Sequence, residues 1–499
     1  MRRHRFLAFA LTIGLFMPQA NARPRGAQRA AEAGTAGAGA ADSAGAPTRA
    51  PEIEAAVRAL VSDRSLKDAQ IGVSVVNADS GAVLAQSGEH IALNPASNAK
   101  LYTAAAALAI LHGSHRYQTT LSGAIKSGNV GELVLRGHGD PSLRSSDLWA
   151  MAEELKARGV RKVESLVIDQ RFFDEQTTPP AFEQQPNEWA AFRAPVSAIA
   201  LNENTITLTV RPTQAGSAAI ASFDPLGFVD AQGTIKTTES GADAVVLDLS
   251  PAGRRMTAKI SGAVAEDSKF VRYTRRVDDP LLFAGYAMKA ICEEIGIKVL
   301  SDPKLATGPT KAPMIVRHES EPLSTLLYAL GKSSDNFYAE MIFKSLGAEG
   351  KARPGKSQDA AEVVTKWLEH TNLSDAGVAI KNGSGLFDAN RTTVSSITKL
   401  LAYAWQNPAI RTEFVAQLSI GGVDGTLHKR FREHRERRAI RAKTGTLDDA
   451  IALSGYVLGP AGTPPLAFSI MFNKVAGKAS FARAAADKFA TLLYDKQWH

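Results

Sequence analysis

The sequence has one cysteine, Cys292, so no disulfide can form within the chain and a disulfide scaffold is excluded. Beyond the N-terminus it has no apolar run of about 18 residues or more, which excludes a transmembrane bundle. It has no His-Glu-x-x-His and no Cys/His ligand cluster, which removes the usual sequence signs of a catalytic or structural metal. No internal repeat is present. No excess of one charge sign dominates: 58 Lys and Arg face 50 Asp and Glu, for a net charge of +8 and a pI near 9.4. That balance suits nucleic acid, but equally anionic lipid or wall polymer. What is present is globular: 499 residues, 44% of them hydrophobic, which excludes wholesale disorder.

The N-terminus carries an address. Arg2, Arg3 and Arg5 precede the apolar run Phe6–Met17, and Ala20-Asn21-Ala22 supplies a small-x-small cleavage site. Such a run is too short for a bilayer core of roughly 30 Å. Residues 1–22 therefore read as a cleavable export signal, and its removal lowers the formal charge from +8 to +5. Residues 23–50 are Ala/Gly-rich without apolar period and read as a flexible linker. The product is expected to be exported, periplasmic or wall-associated, with no transmembrane anchor in its mature form. In an oxidising space, Cys292 within a helical pattern is expected to be buried rather than reactive.

Order is expected from Pro51. A helix with Ile53, Val57 and Leu60 on one face precedes two strands around a turn at Asn77–Gly81. Ser97-Asn98-Ala99-Lys100 then opens an almost wholly apolar helix, LYTAAAALAILHG, that must be covered on most sides. From 117 to 279 the pattern is β-rich, with strands between Gly, Pro and Asp turns and one clear helix, MAEELKARG. Helices return after 280, and three strands and a helix close the chain. The expected fold is α/β (α+β): an antiparallel sheet flanked by helices. Its parts come from 51–116 and 280–499, with 117–279 inserted as one or two subdomains.

Three short motifs carry chemistry: Ser97-x-x-Lys100, Ser334-Asp335-Asn336 and Lys443-Thr444-Gly445-Thr446. Each alone is weak, and Ser301/Lys304 and Ser396/Lys399 repeat the first spacing by chance. Ser301 is followed by Pro303, which does not continue a helix. Ser396 lies inside a helical run, where its hydroxyl is expected to return to the backbone one turn earlier. Only Ser97 stands at the start of an apolar helix.

Residues three apart share a helix face, so Lys100 can stand beside the Ser97 hydroxyl. A serine attacks only when a base takes its proton. Lysine serves as that base once its pKa falls from about 10.4 toward neutrality, a cost to the charged form of about 4 kcal/mol. Burial in the apolar helix and the charge of Lys443 are the expected causes. Ser334 can relay a proton to a leaving amine. Asn336 can accept from Lys100 and donate to a substrate carbonyl. Gly445 lets a ligand approach the strand, Thr446 offers a backbone N–H to an oxyanion, and Lys443, Thr444 and Thr446 suit a substrate carboxylate.

The motifs and their order resemble the penicillin-binding protein and serine β-lactamase superfamily. The long spacing from Ser97 to Ser334 resembles the class C low-molecular-mass penicillin-binding proteins, the D-alanyl-D-alanine carboxypeptidase/endopeptidase family, in which extra domains separate the first two motifs. Gly137-His138-Gly139-Asp140-Pro141-Ser142-Leu143, Ala194-Pro195 with Asn202, and Gly383-Ser384-Gly385-Leu386 are similar to that family's segments. Asn382 and Phe387 depart from its usual Asp and Ser. The resemblance implies a serine-type carboxypeptidase, and an endopeptidase too, on peptidoglycan stem peptides. It implies Ser97, Lys100 and Ser334 as catalytic, Asn336, Lys443, Thr444, Gly445 and Thr446 as substrate-binding, and β-lactams as covalent inhibitors. No cofactor, metal or nucleic acid is implied. A β-lactamase with fast deacylation and a non-catalytic wall-binding protein are the alternatives. The basic run 428–441 is expected to be a solvated face.

Overall fold

The computed structural model describes residues 50–499; the signal and most of the linker assigned above lie outside the described residues. One antiparallel sheet joins the two ends of the chain. Its order is Ser419–Ile420, Ile440–Leu447, Ala450–Val457, Leu466–Asn473, Gln70–Asn77, Val83–Ser87. Every residue of Ala450–Val457 is buried, as a central strand covered on both faces requires. Ile451, Leu453 and Val457 point to one face, where Phe468 and Ile470 join side chains of the helices Pro51–Val61 and Ala479–Trp498. Ala452 and Tyr456 point to the other, against the helices Ala99–Ile110 and Val394–Gln406.

The helix Ala99–Ile110 is the hub of that second face. It is buried from Ala99 through Leu108, packed by the helices Leu323–Gly331 and Asn336–Gly350 as well as by the sheet. Alanine gives it the highest helix propensity and a thin profile, so neighbours approach from all sides. A larger residue at Ala105, fully buried, would overpack this contact at a cost of about 1–3 kcal/mol.

The β-rich part has its own core. Asn129–Gly137 pairs in parallel with Lys162–Asp169 across the helix Ser145–Ala157, and Gln118–Ser122 pairs with Met314–Glu319. Thr205–Arg211, Val271–Arg276 and Ile220–Asp224 form a second sheet, and Ala244–Ala252 with Arg255–Ala265 the long hairpin of a third. The expected boundary at 280 is early. Phe283, Met288 and Ile291 of the helix Phe283–Glu294 pack with Leu121, Leu133 and Ile168, and the strand Met314–Glu319 belongs to the same sheet. Helical pattern alone did not say which core a helix would join. Cys292 is buried in that helix, and burial pushes its thiol up to about 12. Among the described residues no helix is long and apolar enough to cross a membrane.

Candidate active site

Ser97 lies in a single 3₁₀ turn, Ala96–Asn98, that runs straight into the buried helix. The turn is held tightly. Ala96 has a left-handed φ of 47°, and its N–H donates to Asn94 Oδ1. Asn98 donates to Ser454 on the central strand at 2.7 Å. Gly385 and Gly445 press against the turn: a Cβ on Gly385 would lie 1.9 Å from Ala96 O, and one on Gly445 2.8 Å from Pro95 O. Both glycines are required by close approach.

Lys100, one turn on, is completely buried. Its Nζ donates to Ser97 Oγ at 3.0 Å, to Asn336 Oδ1 at 2.7 Å and to Ser384 O at 2.8 Å. Burial lowers its pKa to about 7, against the opposing pull of Asp335 and Glu340. The charge of Lys443 was the expected second cause. Instead the repulsion falls on Lys443, which burial and then Lys100 hold well below the usual lysine range. Two ammonium groups in one buried site do not both stay charged, and the cost falls on the one without carboxylates nearby.

The second motif bridges two helices. Ser334 has a left-handed φ of 59° and accepts from Lys443 Nζ at 2.7 Å. Asp335 caps the helix Asn336–Gly350 by accepting from Tyr338 N at 2.9 Å. Burial, then the charge of Glu203, pushes its carboxyl up to about 6. Asn336 accepts from Lys100 as expected, but its Nδ2 donates to Phe192 O at 3.1 Å, from the β-rich part. One amide hydrogen remains for a substrate. On the strand Ile440–Leu447, Lys443 Nζ also donates to Thr444 O at 2.9 Å, and Thr444 Oγ1 donates to Thr426 Oγ1 at 2.9 Å. Beyond exposed Thr446 a cleft of about 1050 Å³ opens, lined by Phe192, Phe387, Asp388, Asp448 and Asn473 among others.

The eight predicted residues thus gather in one region, with Thr446 at the edge of the cleft. Three further residues at the site lie outside the motifs. Glu340 is buried and accepts from Gly383 N at 3.2 Å and Ser384 N at 2.7 Å, which aims the Ser384 carbonyl at Lys100. Phe192 and Ser384 act through backbone oxygens. The repeats of the first motif stay outside. Ser396 donates to Leu373 O at 2.6 Å, not to its own helix, because the loop carbonyl is nearer than the preceding turn. His138 Nδ1 lies 3.1 Å from Gln118 O within the β-rich part, away from Ser97.

Comparison with known proteins places this geometry. Residues 53–493 match the D-Ala-D-Ala carboxypeptidase 3 (S13) family. The chain is 33% identical over 479 residues to a D-alanyl-D-alanine carboxypeptidase of Actinomadura sp., covering 92% of this chain and 87% of that one. It is 24% identical over 405 residues to the carboxypeptidase DacB of Haemophilus influenzae, covering 79% and 83%. The crystal structure of penicillin binding protein 4 from Haemophilus influenzae has the same fold. Its TM-score is 0.72 at 22% identity, over 88% of this chain and 99% of that one. A second structure of that protein holds a β-lactam, with a TM-score of 0.68. A family match across almost all of the described residues and a third of positions shared with a full-length relative lead to one conclusion: the chain belongs to the D-Ala-D-Ala carboxypeptidase 3 (S13) family.

Proposed function

We propose that the protein is a serine D-alanyl-D-alanine carboxypeptidase acting on peptidoglycan stem peptides, blocked covalently by penicillins. The observation that carries this reading is Lys100: fully buried, with a pKa near 7 and its Nζ 3.0 Å from Ser97 Oγ. A lysine in that state is neutral often enough to act as a base.

Ser97 Oγ attacks the carbonyl of the penultimate D-Ala and its proton passes to Lys100. The oxyanion is received by the backbone N–H groups of Ser97 and Thr446. The amide C–N bond then breaks. The leaving nitrogen takes the Ser334 hydroxyl proton, which Lys443 replaces across their 2.7 Å contact. Water hydrolyses the ester, its hydroxide joining the acyl carbon and its proton returning to Ser97 Oγ, after which Lys100 releases its proton to solvent and Lys443 regains one. The terminal carboxylate is held by Lys443 and Thr444, Asn336 and the Thr446 edge align the acyl-side peptide, and Gly445 leaves room for both. The apolar run behind Arg2, Arg3 and Arg5 supports export to the periplasm or wall, where that substrate lies.

Time-resolved labelling with fluorescent penicillin tests the reading. Stable label on the wild type, none on Ser97→Ala and unchanged label on Ser301→Ala are expected. Label that turns over within seconds points to a β-lactamase. Absence of label in folded wild-type protein overturns the proposal.

A further inference from the structure

The basic run 428–441 is not the evenly solvated face that its composition suggests. Its backbone is a 3₁₀ segment, Arg432–Arg437, flanked by Phe431 and Arg438 in left-handed conformations. The inner side is anchored. Phe431 is buried, Arg430 pairs with Asp487, His434 stacks on Tyr494, and Arg437 lies 4.4 Å over Trp498. This anchoring leaves Arg438 exposed beside Arg441, and among the described residues neither makes an ion pair or a side-chain hydrogen bond.

Arg441 is the telling residue. It lies two positions before Lys443 on the strand Ile440–Leu447, and alternate residues of a strand share a face. Ile440 and Ala442 point into the core below, so Arg441 shares the face of Lys443. Its Nε is buried without any acceptor. A buried donor with no partner calls for an explanation. Burial and the charge of Arg438 both depress its ionisation, with Asp424 the one opposing group. Asp424 is itself engaged by Lys332 at 2.7 Å, two residues before Ser334.

Charge therefore differs between the two ends of the strand Ile440–Leu447. Past Thr446 the cleft carries Asp388, Asp448 and Asp449, with Arg391 and Lys474. Past Lys443, Arg441 has Arg438 beside it and Asp424 as its opposing charge, and Asp424 already pairs with Lys332. On the reading above, the acyl side of the substrate lies toward Thr446 and the leaving side toward Lys443.

We propose that Arg438 and Arg441 form a second anion site on the leaving side, which takes a carboxylate of the leaving strand when the substrate is a cross-linked peptide. This rests on the acyl-transfer reading above. A terminal D-Ala carries one carboxylate, already met by Lys443 and Thr444. A cross-linked leaving strand carries further carboxylates along its length, and guanidinium forks suit them. The bonds are those of the carboxypeptidase reaction: the ester to Ser97 forms, the cross-link amide breaks, its nitrogen takes the proton through Ser334, and water releases the acyl group. The site gives the enzyme a preference for opening cross-links.

The test compares a D-Ala-D-Ala pentapeptide with a purified cross-linked peptide dimer, in the wild type, Arg438→Gln, Arg441→Gln and Arg441→Lys. The KM for the dimer is expected to rise about tenfold in each Gln variant, less in Arg441→Lys, and to climb with salt more steeply in the wild type and Arg441→Lys than in the Gln variants. The KM for the pentapeptide should move less than twofold. Penicillin acylation at the wild-type rate reports that each variant is folded. Equal losses on both peptides, or no loss on the dimer, overturn the anion site and leave the carboxypeptidase reading standing. Wild-type protein that labels with penicillin but cleaves neither peptide overturns the reading and the site together.

Discussion

Lys100 and Lys443 are both fully buried, yet their surroundings differ in kind. Lys100 has three acceptors, and Asp335 and Glu340 offset part of the cost of its burial. Lys443 has two acceptors, Ser334 Oγ and Thr444 O, and no carboxylate acts on it. The first surroundings are complete without substrate and hold the base near neutrality. The second are short of one negative charge, which is what a substrate carboxylate supplies. On the proposed reading, the base is poised by the protein and the recognition lysine by its ligand.

The largest expected effect breaks the first of these surroundings. Lys100→Met keeps the volume and removes the base. Acylation by penicillin should fall about 10³-fold, within the range for losing a general base. Thermal stability should fall by about 1–3 kcal/mol, because Asn336 Oδ1 and Ser384 O lose a buried donor. Stopped-flow acylation with a melting curve checks both. Unchanged acylation would transfer the base to another residue.

Lys443→Ala tests the second. Peptide turnover should fall about 10²-fold, as when a charge-binding donor is lost. Lys100 must be neutral to accept a proton, so acylation falls as pH drops through its pKa near 7. Were Lys443 charged in that range, its removal would raise the Lys100 pKa and move this limb to higher pH. The Lys100 pKa is set by burial, Asp335 and Glu340 rather than by Lys443, so the limb should stay in place. Lys443→Arg should not recover peptide turnover, because a planar fork does not replace a compact ammonium between Ser334 Oγ and Thr444 O. Acylation rates from pH 5 to 10 separate these outcomes.

Much of this was legible from side-chain identities. The three motifs named the side chains that the structure brings together around Lys100 and Lys443, and the closing strands announced the sheet. What was not legible acts through the backbone or through folding distance. Ser384 was seen within a family-like segment, but a carbonyl aimed at Lys100 leaves no mark on sequence. Phe192 O reaches Asn336 from 144 residues away. Glu340 left a faint signal: a carboxylate one helical turn after Asn336, in the apolar run NFYAEMIF, where an unpaired charge has no reason to be. The boundary at 280 failed because amphipathic helices do not declare their partner.

Glu340→Gln sharpens the comparison by removing a charge that only Lys100 feels among the two lysines. Glu340 raises the Lys100 pKa, so its loss lowers that pKa and shifts the acidic limb of acylation to lower pH, by about half a unit to one unit. The amide keeps one acceptor for Ser384 N but loses a charge-assisted bond, at about 1–3 kcal/mol of stability. A lowered melting temperature with an unmoved limb would make Glu340 a purely structural support for the Gly383–Ser384 turn.

The smallest expected effect is at Thr426, which the motifs do not include. Its hydroxyl accepts from Thr444 Oγ1 at 2.9 Å and lies 3.3 Å from Ser419 Oγ, so it orients the hydroxyl proposed to meet the substrate carboxylate. Thr426→Val keeps the shape and removes that partner. Thr444 Oγ1 is then free to rotate, and the cost is orientation rather than contact. KM for D-Ala-D-Ala peptides should rise about threefold, equivalent to about 0.6 kcal/mol, with kcat and the acidic limb unchanged. Restoration by Thr426→Ser is expected, since serine returns the acceptor. A fall in kcat, or a shift of the limb, would place Thr426 in the proton path through Ser334 and Lys443 rather than in recognition, and would join the two regions that the lysines otherwise keep apart.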